Sequence, residues 1–133
     1  SNLIESAGSS TEAASGLARA WAAQAQGAPV IAISDNPAPG DDPNKCLRYS
    51  DASACDVSRE IALPGPDIFA EAARAHERAH SLDFSSLFCD ETRCAVVIGG
   101  ADVYRDQDHL TATFANTLGP FIAEKVASVL SRR

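Results

Sequence analysis

Pro29-Val-Ile-Ala-Ile33 is a short run with no polar residue on either side of a period-two alternation. A strand that is apolar on both faces must be covered on both, which is the situation of a parallel strand inside an α/β sheet. A second such run, Cys94-Ala-Val-Val-Ile98, is stopped by Gly99-Gly100, and Ser81-Leu82-Asp83-Phe84 adds a further short strand. Helical periods lie around these runs. After a polar opening that is expected to fray through Ser10, Thr11 offers an N-cap, and Leu17, Ala20, Trp21 and Ala25 recur at three- and four-residue steps until Gly27. Pro66 and Asp67 open a second helix that turns Ile68, Phe69, Ala72, Ala73 and Ala79 inward. A third starts at Thr111 and aligns Phe114, Leu118, Ile122, Val126, Val129 and Leu130, with a kink expected at Gly119-Pro120. Trp21, Phe69 and Phe114 fall on apolar stripes and read as core aromatics. Alternating helix and strand predicts an α/β fold with a mainly parallel sheet. Two or three short strands make a small sheet with both faces to cover, so the chain reads as part of a domain.

The chain of 133 residues is 45% hydrophobic, enough for one packed core. Eleven Lys and Arg against 18 Asp and Glu leave a formal charge of −7, with no basic cluster, which argues against a nucleic-acid binder. No apolar run approaches the roughly 20 residues that span a bilayer. Ser1-Asn2-Leu3-Ile4-Glu5 is no signal peptide, so any targeting segment is expected outside these residues. The stretch from Asp35 to Pro66 carries five prolines and the first two cysteines and reads as one long loop. A loop of that length needs a functional or covalent reason to exist.

The cysteines supply a covalent reason. Cys46, Cys55, Cys89 and Cys94 sit in polar loops rather than apolar runs, which favours disulfides and an oxidising compartment over buried free thiols. Three pairings are open; the local one, Cys46 with Cys55 and Cys89 with Cys94, is the simplest. Loops of this size are stabilised by about 2–3 kcal/mol each when closed. A zinc knuckle fits the spacing poorly.

Two motifs could carry chemistry. His76-Glu77-Arg78-Ala79-His80 matches His-Glu-x-x-His, which on a helix lets two imidazoles hold zinc while the glutamate activates water. Only Asp90, Glu91 and Glu124 offer a third ligand, without a second motif, and a solvated helix face explains the pattern better. The other is Tyr104-Arg105-Asp106-Gln107-Asp108-His109-Leu110-Thr111. Three residues apart, Asp106 can reach the near nitrogen of His109 and leave the far one open to a nucleophile's proton. Spacing alone favours the plainer reading, a polar turn with Thr111 capping the helix that follows.

From Cys89 to Leu130 the chain reads Cys-Asp-Glu-Thr-Arg-Cys, then Tyr-Arg-Asp-Gln-Asp-His-Leu-Thr, then an amphipathic helix broken by Gly-Pro. This stretch resembles the C-terminal end of the SGNH-hydrolase-like domain fused to membrane-bound O-acyltransferases of acyltransferase family three. Val30-Ile-Ala-Ile-Ser-Asp-Asn-Pro37 and the segment from Cys46 to Cys55 are similar to that family's middle region, so the resemblance runs from near Leu17 to the C-terminus. Asp-His-Leu-Thr is its most specific part. The resemblance implies a three-layer α/β/α sandwich of flavodoxin-like type, with His109 as catalytic base and Asp106 as its orienting acid. The implied activity is acyl transfer onto, or ester hydrolysis from, a cell-envelope glycan or glycolipid, without metal or organic cofactor. The domain would face the extracytoplasmic side, tethered through a membrane-embedded parent.

The family's nucleophile lies in a Gly-Asp-Ser block. This chain has neither that block nor a Gly-x-Ser-x-Gly elbow; Gly40-Asp41-Asp42 shares two letters only. Asn36 is the one tempting oxyanion donor, although Asp-Asn-Pro also simply begins a turn. Residues 1–133 are therefore expected to be a single domain or the C-terminal portion of one, inactive alone. Their expected partners are the N-terminal remainder or a second copy met across an exposed sheet edge. Two alternatives stand: a non-catalytic, disulfide-stapled envelope binding domain, and a zinc hydrolase using His76, Glu77 and His80.

Overall fold

The computed structural model describes residues 6–24 and 27–132. In chain order the elements are α1 (Ser6–Gln24), β1 (Val30–Ile33), α2 (Pro43–Leu47), α3 (Ala52–Cys55), β2 (Val57–Ser58), α4 (Arg59–Ala62) and α5 (Ile68–Arg74). There follow β3 (Ala79–Leu82), a 3₁₀ turn (Ser85–Leu87), β4 (Arg93–Cys94), β5 (Val97–Ile98), β6 (Ala101–Asp102) and α6 (Ala112–Ser131). The chain divides into two compact units. The first holds the residues up to Asp35, Gly65–Asp83 and Lys125 onward; the second holds Asn36–Pro64 and Phe84–Glu124.

In the first unit β1 and β3 pair in parallel, Val30 opposite Ala79 and Ile33 opposite Leu82. Helix α5 packs on both strands and on α1, burying the small Ala72 and Ala73. Asp67 starts α5 by accepting from the Phe69 and Ala70 amides, both at 3.0 Å, while its other oxygen takes the Ser34 hydroxyl at the end of β1. Helix α1 begins before Thr11, so that residue is not its N-cap, and Ala25 lies outside the described residues. Gly27, at φ +77°, makes the turn toward β1. The apolar β1 is not covered throughout: Ile33 is 41% exposed.

The second unit holds a core of which Phe88, Val96, Val103, Tyr104, Phe114 and Leu118 are members. Phe88 and Phe114 meet edge to face with centroids 5.3 Å apart. The stretch after Asp35 is not the single loop that its prolines suggest. Pro43 occupies the first position of α2, where a missing N–H costs nothing, and Asp42 caps that helix. Ser58 caps α4, and β2 pairs antiparallel with β4. Disulfides join Cys46 to Cys55 and Cys89 to Cys94, the first linking α2 to α3 and the second closing the turn that leads into β4. Among the described residues there is no free cysteine.

The run Cys94–Ile98 departs from the parallel strand expected of it. Gly99 and Gly100 both have positive φ, +59° and +79°, and reverse the chain so that β5 pairs with β6 as a two-residue hairpin. So small a connection can join only antiparallel strands. Parallel pairing is thus confined to β1 and β3 among the described strands.

Candidate active site

The Asp106–His109 segment is a turn mounted on the second unit. Arg105 N–H donates to the His109 carbonyl at 2.8 Å, and Tyr104 and Leu110 form an antiparallel bridge that closes its base. Tyr104 is 2% exposed and anchors the incoming strand; burial pushes its phenol up to about 12. On the outgoing side the Thr111 hydroxyl donates to the Asp102 carbonyl at 2.6 Å and accepts from the Phe114 amide at 3.1 Å. Thr111 therefore caps α6 and ties it to the hairpin.

Within the turn, Asp106 Oδ1 accepts the backbone amides of Asp108 (2.8 Å) and His109 (2.7 Å), a side-chain mimic of a backbone turn. Its Oδ2 lies 2.9 Å from His109 Nδ1, and Oδ1 lies 3.1 Å from the same nitrogen. Those two amide N–H bonds first, and the imidazole after them, hold the Asp106 carboxyl down at about 2. An ionised carboxylate can only accept, so beside it a neutral His109 ring carries its proton on Nδ1 and presents the Nε2 lone pair. The His109 side chain is 65% exposed, which leaves Nε2 reachable. Arg105 Nε stands 4.0 Å from Asp106 Oδ2.

Asn36 falls beside this turn, its side-chain nitrogen donating to the carbonyl of the next residue, Pro37 (2.9 Å), and to Asp108 O (3.4 Å). A primary amide has two N–H donors, and carbonyls account for both, so Asn36 is not presented as an oxyanion donor. Asn44, which belongs to neither motif, donates to Arg105 O (3.1 Å) and Tyr104 O (3.4 Å). Asp42-Pro43-Asn44, a cap followed by an N1 proline, marks the start of a helix and puts Asn44 on its first turn, without pointing to the Asp106 turn.

The His-Glu-x-x-His reading fails on geometry. Helix α5 ends at Arg74, and Ala75, at φ −90° and ψ 0°, turns the chain out of it. His76 is buried, edge-on to Trp21 at 6.4 Å, with Nδ1 accepting the Arg78 amide, whereas His80 belongs to β3. The two imidazoles share no helix face, and the solvated-face alternative falls with the helix. His80 instead lines a cavity of about 210 Å³ in the first unit, together with Arg78 and Arg132. That cavity contains neither Asp106 nor His109.

The family model for the SGNH domain (fused to AT3 domains) matches residues 2–124. No curated protein and no solved structure matches the chain. The disulfides agree with an oxidising compartment, and no helix among the described residues is long and apolar enough to cross a membrane. With the family's pattern laid over nearly its whole length, the chain belongs to the SGNH domains fused to acyltransferase-3 domains.

Proposed function

We propose that this chain carries the His–Asp half of an extracytoplasmic SGNH-type serine O-acyltransferase or esterase acting on a cell-envelope glycan or glycolipid. The observation that supports it most is the 2.9 Å contact from Asp106 Oδ2 to Nδ1 of an imidazole whose other nitrogen is open to solvent. Asp106 holds the ring in the tautomer that a base requires and stabilises the imidazolium that forms. His109 Nε2 removes the proton of a serine hydroxyl as the oxygen attacks the acyl carbonyl. It returns that proton to the departing alkoxide, leaving an acyl-serine. In the second half it deprotonates a glycan hydroxyl, for transfer, or water, for hydrolysis, as that oxygen attacks the acyl carbon; the serine ester bond breaks and the proton returns from Nε2 to the serine oxygen.

No Gly-Asp-Ser block lies in these 133 residues. The reading therefore assigns the serine and the oxyanion donors to the remainder of a membrane-embedded parent. A complete three-layer sandwich with a mainly parallel sheet belongs to that same proposal. The same reading adds a further strand, from the remainder or from a second copy, to the two-stranded β1–β3 sheet. A glycan-binding domain without catalysis is the second reading, favoured by the missing nucleophile block. The discriminating experiment is p-nitrophenyl acetate hydrolysis by the intact parent and by the 133-residue chain. The proposal expects activity in the parent, its loss in His109→Ala, and none in the chain alone. A fully active His109→Ala parent refutes it.

A further inference from the structure

We propose that Asn44, with Asn36 beside it, is a positioning residue for the Asp106–His109 pair, its side-chain amide holding the carbonyls that lead into the dyad turn. The inference rests on the catalytic reading above and adds to it the residues that aim the pair.

The turn needs such a hold. With Asp106 37% and His109 65% exposed at the side chain, little packing restrains it. Its internal bonds, the Asp108 and His109 amides on Asp106 Oδ1, keep their geometry only while the carbonyls that flank the turn are held in place. Asn44 supplies direction from one flank: its amide nitrogen lies 2.8 Å from Asp42 Oδ1, 3.1 Å from Arg105 O and 3.4 Å from Tyr104 O. One N–H satisfies Asp42, and the other is shared between two successive carbonyls immediately before Asp106. Asn36 holds the other flank through Asp108 O at 3.4 Å.

Asn44 is itself held. Its backbone amide donates to Asp42 Oδ1 at 3.0 Å, and α2, on which it sits, is joined to α3 by the Cys46–Cys55 bond. A covalent brace thus reaches the dyad through one side-chain amide. Catalytic groups must be kept within about 0.5 Å of their working geometry, and an exposed turn meets that demand only through such support. The charged groups near the Asp106 carboxylate are His109 and Arg105 from its own turn, with Asp108 beside them; from the neighbouring helix, Asp42 faces Asn44 rather than Asp106.

The test is the titration of the Asp106 carboxyl carbon, followed by NMR in the 133-residue protein, in wild type, Asn44→Ala, Asn44→Gln and Asn36→Ala. A merely structural residue would lower the melting temperature and leave that titration in place. The inference expects Asn44→Ala to raise the Asp106 midpoint by about one unit as the turn loosens, and Asn44→Gln, which keeps an amide, to restore part of the shift. If Asn44→Ala does not fold, Asn36→Ala carries the same expectation. An Asp106 titration that coincides with wild type in the folded variant overturns the inference, whatever the parent's activity. The His109→Ala activity measurement judges the catalytic reading separately.

Discussion

Replacing Asp106 by Asn should remove the base while moving almost no atoms. Asp106 Oδ1 receives two backbone N–H bonds, at 2.7 and 2.8 Å, and an asparagine carbonyl can keep both. The asparagine NH₂ then takes the place of Oδ2, 2.9 Å from His109 Nδ1. That NH₂ only donates, so Nδ1 must become the acceptor and the ring proton must move to Nε2. An imidazole protonated on Nε2 cannot take a proton from serine. For an acid of this role the loss in kcat is about 10⁴-fold, as known from the Asp-to-Asn change in a serine protease triad. The assay is kcat for p-nitrophenyl acetate in the intact parent, paired with ¹⁵N shifts of His109 in the 133-residue protein to read the tautomer. A variant within about tenfold of wild type, or a ring that stays protonated on Nδ1, refutes the reasoning.

Three further outcomes follow from the same contacts. Asp106 titrates at about 2 when folded against an ordinary 3.8, so its contribution to stability is present above 3.8 and is lost as pH falls from there through about 2. The wild-type urea midpoint should approach that of Asp106→Asn across that interval, and a constant gap there would contradict the assignment. Changing Cys46 and Cys55 together to Ser opens a loop of sequence separation 9. The cost is about 2.6 kcal/mol in the chain-entropy picture, or a melting point lower by about 9 °C for a chain of this length. An unchanged melt would show that α2 and α3 need no brace. Phe114→Ala empties a site that is 4% exposed and deletes the edge-to-face contact with Phe88. Urea titration should show a loss of about 3–5 kcal/mol, and less than about 1 kcal/mol would mean the core is elsewhere.

What could be read along the chain is what neighbouring residues decide among themselves. Asp106 and His109 are three residues apart, and an aspartate that accepts the amides two and three residues on makes its own turn. Caps at Asp67 and Thr111 are local in the same way, as is the Gly99-Gly100 reversal, a hairpin signal that the apolar run before it disguises as the end of a buried strand. The family followed from such local blocks. Other features needed distant partners. His76 and His80 keep helical spacing on paper, yet Ala79–Leu82 pairs with Val30–Ile33, and that ladder draws His80 into a strand. Four cysteines permit three pairings, and only the approach of α2 to α3 joins Cys46 to Cys55. Asn44 lies 60 residues from Tyr104, so nothing near it in the chain marks it as a support for the dyad. A turn is settled by bonds within a few residues, whereas ladders, bridges and braces exist only after folding has brought remote segments within hydrogen-bonding reach.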